Sequence, residues 1–517
     1  MTSIGPYSAS GVGKPSLTRA LAESRSQLDQ LLAQLSTGKV SNDYAGLDGR
    51  STSLAMRARL SAVESYQATA ATVNVRLGLM GSALERLENI GAEYKLTDPN
   101  EYMLTSGSVT IAQSQAAVDL QEAIGQLNLE VNGRHLFSGR ATDTKPVLSA
   151  DAMLADDGDK AGLRTVIAER KLADLGASGR GRLNVSAVAG STFTVAQQAS
   201  GPFGFKISSL TSTLTGGVAS GPAGAASAIT LGVTGVPAAG EQVRVGLTLP
   251  DGSTEEIVLT VKSPDDVSAV APGEFRIGAT PAETAANMRA SFDAALKTEA
   301  NTSLVAASAM QAGNEFFDTP AGAEPARVAG FDAANPTDAA RVAALQGATS
   351  LDTTGTAART VTWYAGDDSA DDPRRTAGAK IDDGVSVAYG ARASEDGPRR
   401  VVQTLAVFSS MTFATDDPDG QARYSALANR TIATLGSSET SASLQTVAVD
   451  LANARSAIKS AAERHLATKA LAENAISSVE QVDKEEVSLK ILSLQTRLEA
   501  SYQVTATLKN LSLVNFL

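Results

Sequence analysis

The chain contains no cysteine, which excludes disulfides, thiolate nucleophiles and cysteine-ligated metals. Histidine is nearly absent as well: only His135 and His465 occur. A metal centre or catalytic triad needs partners that this sequence does not announce, so both read as structural residues and no cofactor is expected. Aromatic residues make up 4% and Trp363 is the one tryptophan, a poor supply for a deep aromatic-lined pocket. Lysine and arginine form no run, and 44 basic against 56 acidic residues leave a net charge of −12. That balance argues against nucleic acid and against anionic membrane surfaces as partners. No apolar run approaches the roughly 18 residues of a membrane span. The opening MTSIGPYSASGVGKPSLTRA has neither a basic nor an apolar signal region, so an ordinary signal peptide is not expected.

What the chain has in quantity is alanine, serine, threonine and glycine, the material of long helices packed through small residues and of light strands. Its 517 residues leave room for two to four domains. Residues 1 to about 15 read as an unstructured tail. Leu21, Leu28, Leu31, Leu32 and Leu35 mark a first helix, stopped by Thr37-Gly38. The polar stretch SNDYAGLDGRST follows as a loop or spoke. Then Val63, Tyr66, Ala70, Val73, Leu77, Met80, Leu84, Leu87, Gly91 and Tyr94 step by three and four, a coiled-coil seam that requires a partner helix. A third helix is expected over Ile111 to Val131, with Asn132-Gly133 as its stop.

From Asp143 the texture changes to glycine, threonine and short alternating runs. Gln242 to Leu249 and Glu255 to Lys262 flank Pro250-Asp251-Gly252-Ser253 as a hairpin, and Glu283 to Glu299 reads as a short helix. Residues 360–390 read as two strands around an acidic loop. Helices resume over Arg399 to Met411 and Arg423 to Leu435. From Ser443 the spacing again steps by three and four through Leu444, Val447, Leu451, Ala454, Ile458, Ala461, His465, Thr468, Ala472, Ala475, Val479 and Val482. Charged Glu486 falls on the seam and marks a stutter or bend. Ile491, Leu494, Leu498, Tyr502, Leu508 and Leu511 continue a helix that ends in Leu513, Val514, Phe516 and Leu517, an apolar stretch that something should cover.

These readings give seven segments: 1–45, a tail and inner helix; 46–150, a helical rod; 151–192, a β-rich connection; 193–317, a β-rich insert; 318–395, a return segment with strands; 396–484, a second rod; and 485–517, an inner helix. The expected fold is mainly α, a long antiparallel coiled-coil hairpin of N- and C-terminal helices carrying a β-rich inserted outer domain. Val73, Leu77, Leu84, Leu451, Ile458 and Val479 are its seam; Leu28, Leu31, Leu498, Leu508, Leu511 and Leu517 are the candidate assembly interface. A two-helix hairpin with little aromatic filling leaves outer apolar faces bare, which predicts self-association. Gly11-Val12-Gly13-Lys14 lacks the first glycine, the hydroxyl and the strand of a phosphate loop. The acidic clusters at Asp156–Asp159, Asp367–Asp372 and Asp416–Asp419 lack calcium-loop spacing.

The two ends also resemble the bacterial flagellin superfamily. LSTGKVSNDYAGL, residues 35–47, looks like that family's LSTG and spoke motif, with Ser41-Asn42-Asp43-Tyr44 departing from its usual acidic wording. NGRHLFSGRATDTKP at 132–146 and the ending LQTRLEASYQVTATLKNLSLVNFL are similar to the hook–filament junction branch of the superfamily. Trp363-Tyr364 and Tyr389-Gly390-Ala391-Arg392 resemble segments common to alphaproteobacterial flagellins and junction proteins, and the Leu249-Pro250-Asp251-Gly252 turn resembles an insert found in some of those flagellins, which keeps a filament flagellin as the alternative. The resemblance implies a flagellin-like, non-enzymatic, extracellular axial protein that leaves through the flagellar export apparatus. Its implied partners are copies of itself, a neighbouring hook-associated protein, flagellin and an export chaperone. A surface adhesin or hydrolase carried by the insert is the alternative of another class.

Overall fold

The computed structural model describes residues 14–41, 48–95, 98, 100–104, 108–198, 201–266, 268–320, 322–331, 338–414 and 416–514. The chain is mainly helical, at 54%, with long terminal helices packed together and a central β-rich region. It divides into two compact units. One comprises Met1–Thr72, Lys380–Ser386 and Ala457–Leu517; the other comprises Val73–Ala379 and Val387–Ser456.

Helix α1 spans Lys14–Thr37 and stops where expected: Gly38 takes φ +69° and its N–H bonds to Gln34 O at 2.8 Å, a left-handed position that suits glycine. Helix α2 spans Arg50–Tyr94. Helix α3, Ile111–Leu127, begins with a capping box, in which Thr110 and Gln113 exchange side-chain-to-backbone hydrogen bonds and so satisfy two otherwise orphaned N–H groups. It ends earlier than the sequence suggested. Asn132-Gly133 is no helix stop but the turn of a short hairpin, β1 (Glu130–Val131) with β2 (Arg134–His135). Both turn residues take positive φ, 53° and 74°, the combination that Asn-Gly favours in two-residue hairpins.

The expected β-rich connection over 151–192 contains more helix than strand, with α4 (Ala150–Leu154) and α5 (Leu163–Leu175). Strand β3 (Leu183–Val185) already belongs to the insert, because it pairs with β4 (Thr192–Gln197). Strands β5 (Lys206–Ser212), β6 (Gly217–Ala223), β7 (Ala228–Val233), β8 (Gln242–Thr248), β9 (Thr254–Lys262) and β10 (Glu274–Arg276) complete two four-stranded sheets. Their orders are β3-β4-β7-β6 and β10-β9-β8-β5. The foreseen β8–β9 hairpin runs in register from Gln242↔Thr260 to Thr248↔Thr254, and Gly252 closes its turn at φ +83°.

Helix α6 (Pro281–Glu299) starts from the Thr280 cap with Pro281 in its first turn, where a missing N–H costs nothing. It buries Met288, Phe292 and Leu296, spaced by four, in the core formed with Phe193, Leu231, Val245, Leu259 and Phe275 of the sheets. A π-helical turn, Ala300–Leu304, joins it to α7 (Val305–Phe317), and Asn301 O accepts a 2.7 Å hydrogen bond from Arg423 Nε.

Strand β11 (Arg327–Val328) pairs with β12 (Leu351–Asp352), on either side of α8 (Asp338–Gly347). The strands expected around an acidic loop lie wholly after it: β13 (Gly378–Asp382) and β14 (Val385–Ala388) turn at Asp383-Gly384, where Gly384 has φ +72°. Helices α9 (Asp396–Ser410) and α10 (Gly420–Leu435) fall close to the expected spans. Both α7 and α9 are buried on nearly every side, and they approach so closely that a Cβ on Gly313 would lie 2.6 Å from Val407. They form a helical core with α3, α5 and α10.

The last two helices are α11 (Ser438–Glu480) and α12 (Lys484–Val514). The discontinuity expected at Glu486 falls at Gln481–Asp483. Asp483 caps the new helix, its carboxylate accepting from the N–H groups of Glu485 at 2.9 Å and Glu486 at 3.3 Å. Glu486 is thus an exposed first-turn acid, favourably placed at a positive helix end, and the seam resumes one residue later at buried Val487.

Candidate functional site: the terminal helix pairs

Within the first unit, partner numbers fall as residue numbers rise: Arg57 meets Glu480, Glu64 meets Lys469 and Tyr66 meets His465. The α2 and α11 segments there are therefore antiparallel. In the second unit the same sense holds, with Asn74 bonded to Arg455 and Glu88 to Ser441 and Gln445. Val73, Leu77, Leu84, Leu451 and Ile458 are buried, while Val479 is half-buried against Gly49.

Helices α1 and α12 also pack antiparallel, Lys39 bridging to Gln481 at one end and Arg25 Nε donating to Tyr502 Oη at 2.9 Å further along. Val487, Ile491, Leu494 and Leu498 are buried in this pair, and Leu28 and Leu31 are half-buried. Leu508 and Leu511 lie on the last turns of α12, with side chains outside the described set; Leu517 lies outside the described residues, as do Asn42 to Leu47 of the spoke. What sequence spacing did not reveal is the other face. Leu489 and Leu492 are 68% and 62% exposed, Val504 54% and Leu32 45%. An open groove of about 740 Å³ is lined by Leu21, Ala22, Arg25, Ala33 and Tyr502 among others.

The break between α11 and α12 lies against the end of α1. Val40 N–H donates to Glu480 O at 2.8 Å and Val482 N–H to Gly38 O at 3.1 Å, so each chain break supplies the other's missing backbone partners. The Glu480 carboxylate accepts from Ser53 Oγ and, in fork geometry, from Arg57 Nε at 2.9 Å and Nη2 at 2.6 Å. These hydrogen bonds, Arg57 first, lower its pKa to about 2. Its contribution to stability is therefore present above the ordinary glutamate range near 4.5 and lost as pH falls through 2. Because Arg57 is 44% exposed, solvent screening reduces this to about 1–2 kcal/mol. Glu480→Gln should cost the first unit that amount at pH 7 and almost nothing at pH 2, read by hydrogen exchange of the α2 amides.

His465 is 2% exposed and stacks on Tyr66 at 6.0 Å, with Asp382 Oδ1 at 3.4 Å; His135 Nδ1 lies 3.2 Å from Asn128 O. Among the described residues, no cluster of histidines and acids could hold a metal ion and no helix is long and apolar enough to cross a membrane. Phe316, Phe317, Trp363 and Tyr364 do gather in one stack, with ring centroids 5.1 to 5.6 Å apart. All four are buried as residues, and together with Arg392 and Arg399 they line a cavity of about 380 Å³.

Comparison with protein-family models found no match, and comparison with curated proteins found none.

Proposed function

We propose that the chain is a non-enzymatic, self-associating axial subunit of the bacterial flagellum, placed at the hook–filament junction. The observation that carries the reading is the antiparallel α1–α12 pair with Leu32, Leu489, Leu492 and Val504 bare on its outer faces. Each such side chain gains about 1.5–3 kcal/mol by leaving water, so repeating copies that cover one another's leucines gain a large, cumulative driving force. The flagellin-like wording of 35–47, 132–146 and 494–517 supports the flagellar setting, with a hook-associated protein and flagellin as axial neighbours. An export chaperone is the partner suited to the α12 face before assembly.

Purified chain added to flagellar filament seeds should polymerise. The double variant Leu489→Glu and Leu492→Glu should remain folded, since both positions are exposed, yet lose assembly at least tenfold in a pelleting assay. Pelleting of the variant at the parental level would refute the role of this face. Immunogold labelling separates the junction from the alternative: one thin zone at the filament base supports the former, label along the whole filament a flagellin.

A further inference from the structure

Outside the terminal pairs, a cavity of about 160 Å³ in the second unit is lined by Arg327, Arg341, Arg359, Lys160, Thr165 and Phe331, with Asp156 and Asp159. Five separate segments converge on it: the 156–160 turn, α5, β11, α8 and the short helical turn Ala357–Arg359. At its base lies one buried carboxylate, Glu169, shared by two guanidiniums. Arg327 Nη2 and Arg341 Nη2 both donate to Glu169 Oε1, at 2.7 and 2.5 Å.

The two arginines differ in what they have left to give. Arg327 is 2% exposed and spends all its donors: Glu169 takes Nε and Nη2, and Arg359 O and Thr360 Oγ1 take Nη1. Its plane also stacks on Phe331, at 4.4 Å from the ring centroid. Arg341 makes one hydrogen bond, and its buried Nε has no partner. An unpaired donor of this kind is costly without a ligand or solvent.

Among the described residues, the acids that line the cavity are not bonded to Arg341. Asp156 is turned to the start of α5, accepting from Gly162 N at 2.8 Å and Thr165 Oγ1 at 3.0 Å. Asp159, paired with Arg359 at 3.5 Å, is 86% exposed and lies in solvent. Inward-facing positive charge in a small polar cavity with a planar donor fork matches an oxyanion.

We propose that this cavity binds a small oxyanion, a phosphate, sulfate or carboxylate group, held by Arg341 with Arg359 and Lys160 at the rim. Arg327 acts as a positioning residue that holds Glu169, which in turn aims Arg341. The site is independent of the assembly face. Isothermal titration of the full chain with sodium phosphate, sodium sulfate and sodium acetate, each against sodium chloride at equal ionic strength, tests it and sorts the three chemistries. At least one of the three should bind saturably where chloride does not. Arg341→Gln and Arg359→Gln should each weaken that binding at least tenfold, while the far-UV spectrum stays parental. Saturable binding of none of the three, or parental binding in both variants, overturns the proposal.

Discussion

Replacing Arg327 by alanine is expected to destabilise the second unit by about 3–5 kcal/mol, the cost of leaving a buried ion without its partner. Arg327 and Arg170 are among the largest fully buried side chains of the protein, and both meet acids on or beside α5. Arg327 satisfies both oxygens of Glu169 while tying β11 to the segment at Arg359 and Thr360. Its removal leaves Glu169, 2% exposed, with Arg341 alone. A compensating pair, Arg327→Met with Glu169→Leu, should recover most of the loss, because apolar replacement of a whole buried pair is often neutral or better. Arg341→Ala, at a half-exposed position, should cost under about 1 kcal/mol. Urea denaturation followed by tryptophan fluorescence reads all three, since Trp363 is the only tryptophan and lies in this unit. A loss below about 1 kcal/mol for Arg327→Ala would show that the pair is not what holds β11 to α5.

That network illustrates where sequence reading stops. Glu169 and Arg327 lie 158 positions apart, and each alone looks like a surface charge. Helix α7 was missed as well: it is buried on almost every side, and its run of Ala, Ser and Gly offers few large side chains for spacing to pick out. Asn132-Gly133 was misjudged because its strands are two residues long, too short to alternate visibly. By contrast, α2 and α11 were legible as helices because each keeps one side wet along its length, which writes burial into steps of three and four. The hairpin at Pro250-Asp251-Gly252 was legible because turn chemistry is local. On α12, the buried row at Val487, Ile491, Leu494 and Leu498 follows helical spacing, whereas the exposure of Leu489 and Leu492 depends on which side α1 occupies.

Within the seam, burial rather than residue type should decide the effect of substitution, and Leu84 with Leu79 tests this on one helix. Leu84 is 1% exposed and borders the same groove as Leu77, Leu444 and Leu451, whereas Leu79, five positions earlier, is 38% exposed. Leu84→Ala should cost about 2–5 kcal/mol, combining lost transfer energy with the cavity left behind. The upper part of that range is expected, because the groove is already floored by Gly78, Gly81, Ala448 and Ala452 and offers few atoms that can move in to fill a void. Leu79→Ala should stay within about 0.5 kcal/mol. Hydrogen exchange of the α2 and α11 amides distinguishes the two, with accelerated exchange on both helices for Leu84→Ala. Near-parental exchange in that variant would mean that the antiparallel pair is held by other contacts. If instead only Leu79→Ala impairs polymerisation onto filament seeds, the buried row holds the subunit together and the exposed row of the same helix faces its neighbours, a division of labour that α12 repeats with Leu494 and Leu498 inside and Leu489 and Leu492 outside.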